Sequence, residues 1–171
     1  MNQFFESVHP FDGRTLEKYA VDSSLQLETK IQVSTSVFQD WKKKDWGSKA
    51  SIINTLADFL VSHEEKLARL ITLEMGKTIR ESRAEVSKCV QMIRYYTAHG
   101  EEILRSTEVQ TQAYASRVNY APLGAIFAIM PWNFPLWQAL RFAIPTMLAG
   151  NTVLLKPAPN VCGSALALQD L

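Results

Sequence analysis

Apolar residues along this chain change their spacing several times, and each change marks a new element. From Ser7 to Asp22, His9-Pro10 and Asp12-Gly13 interrupt extended, partly apolar flanks, which predicts a β-hairpin turning at Phe11–Arg14. Ser23-Ser24 then offers a cap to a helix in which Leu27, Ile31, Val33, Val37, Phe38 and Trp41 recur at helical spacing. A second helical pattern starts at Ser48 with Ile52, Ile53, Leu56, Phe59 and Leu60, breaks at Ser62-His63, and resumes through Leu67, Leu70, Ile71 and Met75 to a stop at Gly76. Thr78 caps a third helix running to His99, with Gly100 at its C-terminal position and Val86, Val90, Ile93 and Tyr96 or Thr97 as its buried stripe.

Between Arg105 and Asn119 the period changes to alternation among polar, β-favouring residues, with Val109, Ala113, Ala115 and Val118 on one face. That pattern suits an exposed hairpin covered by another surface; a hairpin left bare is the plainer alternative. Ala125–Met130 is an apolar, branched run that reads as a strand buried on both faces and ended by Pro131. A helix from Pro135 to about Leu148, a turn at Gly150-Asn151, a strand Thr152–Leu155 and a helix from about Val161 complete a βαβα unit. The expected fold class is therefore α/β: an incomplete doubly wound (Rossmann-like) parallel sheet preceded by an N-terminal hairpin and helices, with a protruding β-hairpin. Its expected parts are residues 1–104, 105–120 and 121–171.

The balance of residues narrows the function. With 171 residues, 47% of them apolar and 20% charged, the chain can bury a core, and a net charge of +1 supplies no field for nucleic acid. Lys42–Lys44, flanked by Trp41, Asp45 and Trp46, reads as a solvated helix end. No basic segment precedes an apolar one at the N-terminus, and Pro131, Asn133 and Pro135 break the longest apolar stretch, so no membrane partner and a cytoplasmic location are expected. Cys89 and Cys162 form neither a disulfide framework nor a metal pattern and read as packing residues. His9, His63 and His99 are scattered, so no metal site is expected, and the glycine needed upstream of Gly76-Lys77-Thr78 for a phosphate loop is missing.

Candidate chemistry concentrates at two strand ends. Asn133, between Pro131 and Pro135, sits where the first buried strand stops, and Lys156 ends the second just before Pro157. Ligands in open parallel sheets bind beyond the carboxyl ends of strands, so an amide and an ammonium are presented toward one crevice. Taken alone, an Asn beside prolines also serves turn backbone, a strand-end Lys also serves as surface charge, and Phe134 and Trp137 also serve as core. Arg141 carries the only charge between Asn133 and Lys156; it either faces the same cavity from deeper along its helix or snorkels to solvent.

These residues carry a resemblance. The strings IMPWNFP, AGNTVLLKPAP and LEMGKTIRES are similar to those of the NAD(P)-dependent aldehyde dehydrogenase superfamily, and PWNFPLWQ with LLKPAPN most resembles its bacterial succinate-semialdehyde dehydrogenases. The likeness begins at SVHPFDGRTLEKYA and runs over nearly the whole chain. It implies that Asn133 donates to the oxyanion of a tetrahedral adduct, that Ile129, Met130, Pro131 and Trp132 contact the cofactor, and that Lys156 bonds the adenosine ribose. It further implies that Phe134 and Trp137 line an aldehyde tunnel and that Arg141 holds a substrate carboxylate. Pro159 replaces the ribose-binding glutamate of many NAD-preferring members, which leaves NAD or NADP as the cofactor. Residues 105–120 match a segment that pairs subunits, implying a homo-oligomer. The family's nucleophilic cysteine, general-base glutamate and phosphate-side glycines match nothing before Leu171, so the chain is expected to be the N-terminal part of the enzyme and inactive alone. The alternative is a truncated, catalytically silent product that at most binds nucleotide weakly or associates with subunits.

Overall fold

The computed structural model describes residues 4–169. Strands β1 (Phe4–Val8) and β2 (Thr15–Ala20) form an antiparallel hairpin that begins at Phe4 rather than Ser7. Its turn is closed by the His9 N–H donating to the Arg14 carbonyl at 2.9 Å, with Gly13 at φ 73°, where a side chain is strained. The helices α1 (Ser24–Trp41), α2 (Trp46–Ser62), α3 (Glu64–Met75) and α4 (Ile79–Ile103) follow, then two-residue strands β3 (Thr107–Glu108) and β4 (Arg117–Val118). The chain continues as β5 (Ala125–Ile129), α5 (Pro135–Leu148), β6 (Thr152–Lys156), a 3-10 turn (Pro159–Val161) and α6 (Cys162–Gln169).

Caps fix the helix boundaries. The Ser23 hydroxyl accepts from the Gln26 N–H while the Gln26 carboxamide oxygen accepts from the Ser23 N–H, and Thr78 with Glu81 repeats this reciprocal arrangement at α4. Asp45 caps α2, so that helix starts at Trp46, ahead of the expected Ser48. Gly76 closes α3 in the left-handed region, φ 81°. Helix α4 passes through Gly100 to Ile103, beyond the expected end at His99. Here glycine answers a packing need: a Cβ at Gly100 would lie 2.5 Å from Cη2 of Trp46.

The core is a helical layer. Ile53, Ala57 and Leu60 of α2, Leu67 and Ile71 of α3, Val86, Cys89 and Ile93 of α4, and Leu136, Leu140, Ile144 and Leu148 of α5 pack into one cluster. Each fully buried Leu or Ile contributes roughly 1.5–3 kcal/mol. Strands β5 and β6 pair in parallel, Ala125 against Thr152 through Ile129 against Lys156, with α5 as the crossover. Asn151 locks the sheet's start: its side-chain oxygen accepts from the Leu123 and Gly124 N–H groups, and its amide donates to the Thr146 carbonyl.

Two expectations about faces are corrected. Strand β5 is not buried on both sides: Ala128 is buried, whereas Phe127 and Ile129 are 58% and 68% exposed, because the described sheet has two strands and none of the described residues covers that face. On α1 only Ser34, Phe38 and Trp41 turn inward, leaving Leu27, Ile31, Val33 and Val37 exposed. That helix is tied to the sheet by its second half, through Thr152 Oγ1 donating to the Ser34 carbonyl and Trp41 Nε1 donating to the Met147 carbonyl. The 105–119 hairpin pairs over two residues per strand, Thr107 with Val118 and Glu108 with Arg117, and Val109, Val118 and Tyr120 stay exposed.

Candidate active site

Ile129 and Lys156 are direct partners in the parallel register, and the Met130 N–H donates to the Lys156 carbonyl at 3.0 Å. The two strands therefore end together, and Pro131 and Pro157 turn both chains away. Past that point Trp132 is 52% exposed, and Asn133 and Phe134 are exposed as well. The Asn133 amide makes no hydrogen bond to protein among the described residues, so it is not consumed by its own turn. Its donor and acceptor remain available to a ligand.

The segment after Asn133 is held by an acid from another helix. Phe134 is the N-cap of α5 without any side-chain cap of its own, and Pro135 fills the first position, where no N–H is needed. The Glu85 carboxylate of α4 accepts from the next two free donors, the Leu136 and Trp137 N–H groups, at 2.9 and 3.0 Å. Its other oxygen pairs with the Lys77 ammonium, which lies 4.0 Å above the Phe134 ring. A carboxylate at a helix N-terminus is favoured by the macrodipole, and this one, 3% exposed, has its burial offset by an ion pair and two backbone hydrogen bonds. Glu74 repeats the design one element later: 2% exposed, it accepts from Ser7 Oγ, the Gly163 N–H, and both the N–H and Oγ of Ser164 at the start of α6.

A cavity of about 410 Å³ opens beside this segment, lined by Met75, Lys77, Glu85, Lys88, Asn133, Phe134 and Trp137, among others. It brings together three of the sequence candidates: Asn133, Phe134 and Trp137. Ile129, Met130, Pro131, Trp132 and Lys156 lie at the adjoining strand ends. The Lys156 ammonium leans to 5.9 Å from the Phe5 ring of β1, while Pro159 is exposed in the 3-10 turn that leads into α6. Arg141 is exposed on α5, outside the lining of the cavity, and carries no ion pair among the described residues. A larger cavity of about 860 Å³ lies by Leu148 and Ala149, at the opposite end of α5, and holds none of the candidate residues.

Sequence reasoning missed Glu74, Glu85, Lys77 and Lys88. The signal was present for the acids: Glu85 falls on the same helical stripe as Ser82, Cys89 and Met92, and Glu74 follows Leu67 and Ile71, and an acid inside an apolar stripe must be partnered. Neither cysteine belongs to the cavity. Burial pushes the Cys89 thiol well above its ordinary value, and burial followed by the charge of Glu74 pushes Cys162 up. No group of three or more His, Cys, Asp or Glu among the described residues is placed to hold a metal ion. None of the described helices is long and apolar enough to cross a membrane.

A parallel strand pair joined by a helix defines an α/β protein, and the unengaged amide beside an apolar cavity makes its strand ends the candidate ligand site. The profile of the aldehyde dehydrogenase family matches residues 1–171, and the chain belongs to that family. It is 38% identical over 165 residues to a probable NADP+ succinate-semialdehyde dehydrogenase of Synechocystis, covering 96% of this chain and 36% of that protein. It is 38% identical over 159 residues to an NAD(P)+ succinate semialdehyde dehydrogenase of Escherichia coli, covering 93% and 34%. The fold matches the crystal structure of succinic semialdehyde dehydrogenase from Streptococcus pyogenes in complex with NADP+, with a TM-score of 0.93 and 26% identity over 97% of this chain and 37% of that one. The chain thus spans about a third of the length of these relatives.

Proposed function

We propose that this chain forms the N-terminal portion of an aldehyde dehydrogenase that oxidises succinate semialdehyde, or a related short aldehyde, to the acid with NAD or NADP. The observation that carries this reading is the unengaged Asn133 amide on the wall of the cavity, next to the joined ends of β5 and β6.

Aldehyde oxidation passes through a tetrahedral adduct bearing an oxyanion. An amide N–H held rigidly in place stabilises that charge without exchanging a proton, and such a donor is worth roughly 2.7–4 kcal/mol in acyl-transfer enzymes. Asn133 supplies it, and the Glu85–Lys77 pair keeps its segment from relaxing. The nicotinamide, when bound, supplies the hydride acceptor. For that nucleotide the bare Ile129 and Trp132 offer an apolar face, the stretch through Met130 and Pro131 offers backbone, and Lys156 offers a donor for ribose hydroxyls. With proline at Pro159 no carboxylate opposes a 2′-phosphate, so both nucleotides are accepted; the Synechocystis relative is an NADP+ enzyme and the Escherichia coli relative an NAD(P)+ one, which supports the use of NADP. Arg141, exposed and without a carboxylate partner among the described residues, is assigned to the far carboxylate of the substrate, which a guanidinium holds with two parallel hydrogen bonds. The exposed 105–120 segment is assigned to pairing between subunits, giving a homo-oligomer.

Residues 1–171 by themselves are expected to turn over no aldehyde, since both thiols are buried and pushed away from the thiolate. The test is formation of reduced nucleotide from succinate semialdehyde by the complete polypeptide that carries this chain, with NAD and with NADP. Turnover that is saturable in the aldehyde supports the reading. Absence of turnover with either nucleotide favours a catalytically silent product.

A further inference from the structure

Of the four charged residues on the wall of the cavity beside Asn133, Lys77, Glu81, Glu85 and Lys88, one has no hydrogen-bonded partner among the described residues. Lys88 lies on α4, three residues past Glu85, and its ammonium stands 4.2 Å above the centre of the Trp137 ring. Every other charge on that wall is engaged. Glu85 is saturated by Lys77 and the two α5 N–H groups, and the Glu81 carboxylate is bonded to the N–H and hydroxyl of Thr78. Lys88 has no carboxylate within salt-bridge distance among the described residues. An exposed lysine ordinarily extends into water; this one folds back over an aromatic face at the edge of a mostly apolar cavity.

We infer that Lys88 is a specificity residue: its ammonium, held over Trp137, receives the far carboxylate of an aldehyde acid whose carbonyl lies toward Asn133. The inference rests on the proposed dehydrogenase function and adds to it a second cation besides Arg141, one on the wall of the cavity itself. Seating on the indole face partly strips water from the ammonium and limits its rotamers, so less ordering remains to be done when a carboxylate arrives. An uncharged aldehyde of the same length gains nothing from Lys88. The residue therefore acts on the ratio between the two substrates and leaves the chemical step alone.

The experiment compares Lys88→Met and Lys88→Arg with the unaltered complete polypeptide, using succinate semialdehyde and butanal. Lys88→Met is expected to lower kcat/KM for succinate semialdehyde about tenfold, the size of one hydrogen bond between charged groups, with butanal unchanged, and Lys88→Arg to keep most of the preference. Equal kcat/KM ratios in Lys88→Met and the unaltered protein overturn the inference. A second readout needs no turnover: titration with succinate, followed by tryptophan fluorescence, should report binding that Lys88→Met weakens about tenfold. Succinate binding that Lys88→Met leaves unchanged, or no succinate binding by the unaltered protein, overturns the assignment even where the dehydrogenase reading stands. Absence of aldehyde turnover together with Lys88-dependent succinate binding sinks that reading and leaves the carboxylate site.

Discussion

Glu74 accepts four hydrogen bonds and Glu85 three, and in both cases most donors come from the first turn of a later helix. Because every partner of Glu74 is a donor, replacing its carboxylate with an amide turns an N–H2 group toward N–H groups. Glu74→Gln is therefore expected to cost roughly 2 kcal/mol or more, close to the cost of Glu74→Ala, as read by urea unfolding. A loss under half a kcal/mol in Glu74→Gln would show that the carboxylate is replaceable. The same cluster predicts reactivity. Tyr19, desolvated and near Glu74, has its phenol pushed up to about 12, and Cys162 and Cys89 are likewise raised. In the native protein at pH 8, neither thiol should be labelled by a thiolate-specific reagent until unfolding; rapid labelling of either one would contradict its burial.

Helix boundaries show what one-dimensional patterns carry and where they stop. Ser23, Thr78 and Gly76 were legible because caps act within a turn of themselves. Gly100 was misread as a terminus, since its reason lies 54 residues away at Trp46, and no local pattern reports that contact. Gly100→Ala ought to gain about 1 kcal/mol of helix propensity and still be destabilised by about 1–3 kcal/mol, with Trp46→Leu restoring part of the loss. An additive double mutant would refute that contact. The β5 run read as doubly buried because its composition suits a sheet wider than two strands, and the exposed stripe of α1 tells the same story. At the site, the places of Asn133 and Lys156 at strand ends were legible; the stripe of α4 marked Glu85 only as an acid in need of partners, and neither those partners nor Lys77 and Lys88 were legible, because α4 and the turn before it meet α5 only in the folded chain. Caps also set the response to acid. Hydrogen bonds from Ser48 at Asp45, from Thr78 at Glu81, and from Arg83 and Arg69 at Glu65 hold these carboxyls below their ordinary values. Their stabilisation is present above the unfolded carboxyl range, about pH 4, and is lost as pH falls through the lower folded values. Stability should drop on acidification below about pH 4.5, and 1 M NaCl should blunt the Arg-dependent part.

At the scale of the whole molecule, large apolar side chains stand open on several elements. Phe127 and Ile129 on β5, Leu27, Ile31 and Val37 on α1, and Trp132 at the strand end are all open. Residues 1–171 expressed alone are expected to self-associate, and a monodisperse monomer by light scattering at tens of micromolar would contradict the reading of these faces as buried in the larger assembly. The proposed function turns on Asn133, whose segment is held at the cavity by Glu85 and Lys77. Its most direct test is the steady-state kinetics of Asn133→Ala in the complete polypeptide, together with the Kd of NADP measured by direct binding. If the amide acts on the transition state as proposed, kcat for succinate semialdehyde falls roughly a hundredfold or more with the nucleotide Kd nearly unchanged. An unchanged kcat, or a loss explained by weaker nucleotide binding, would contradict it.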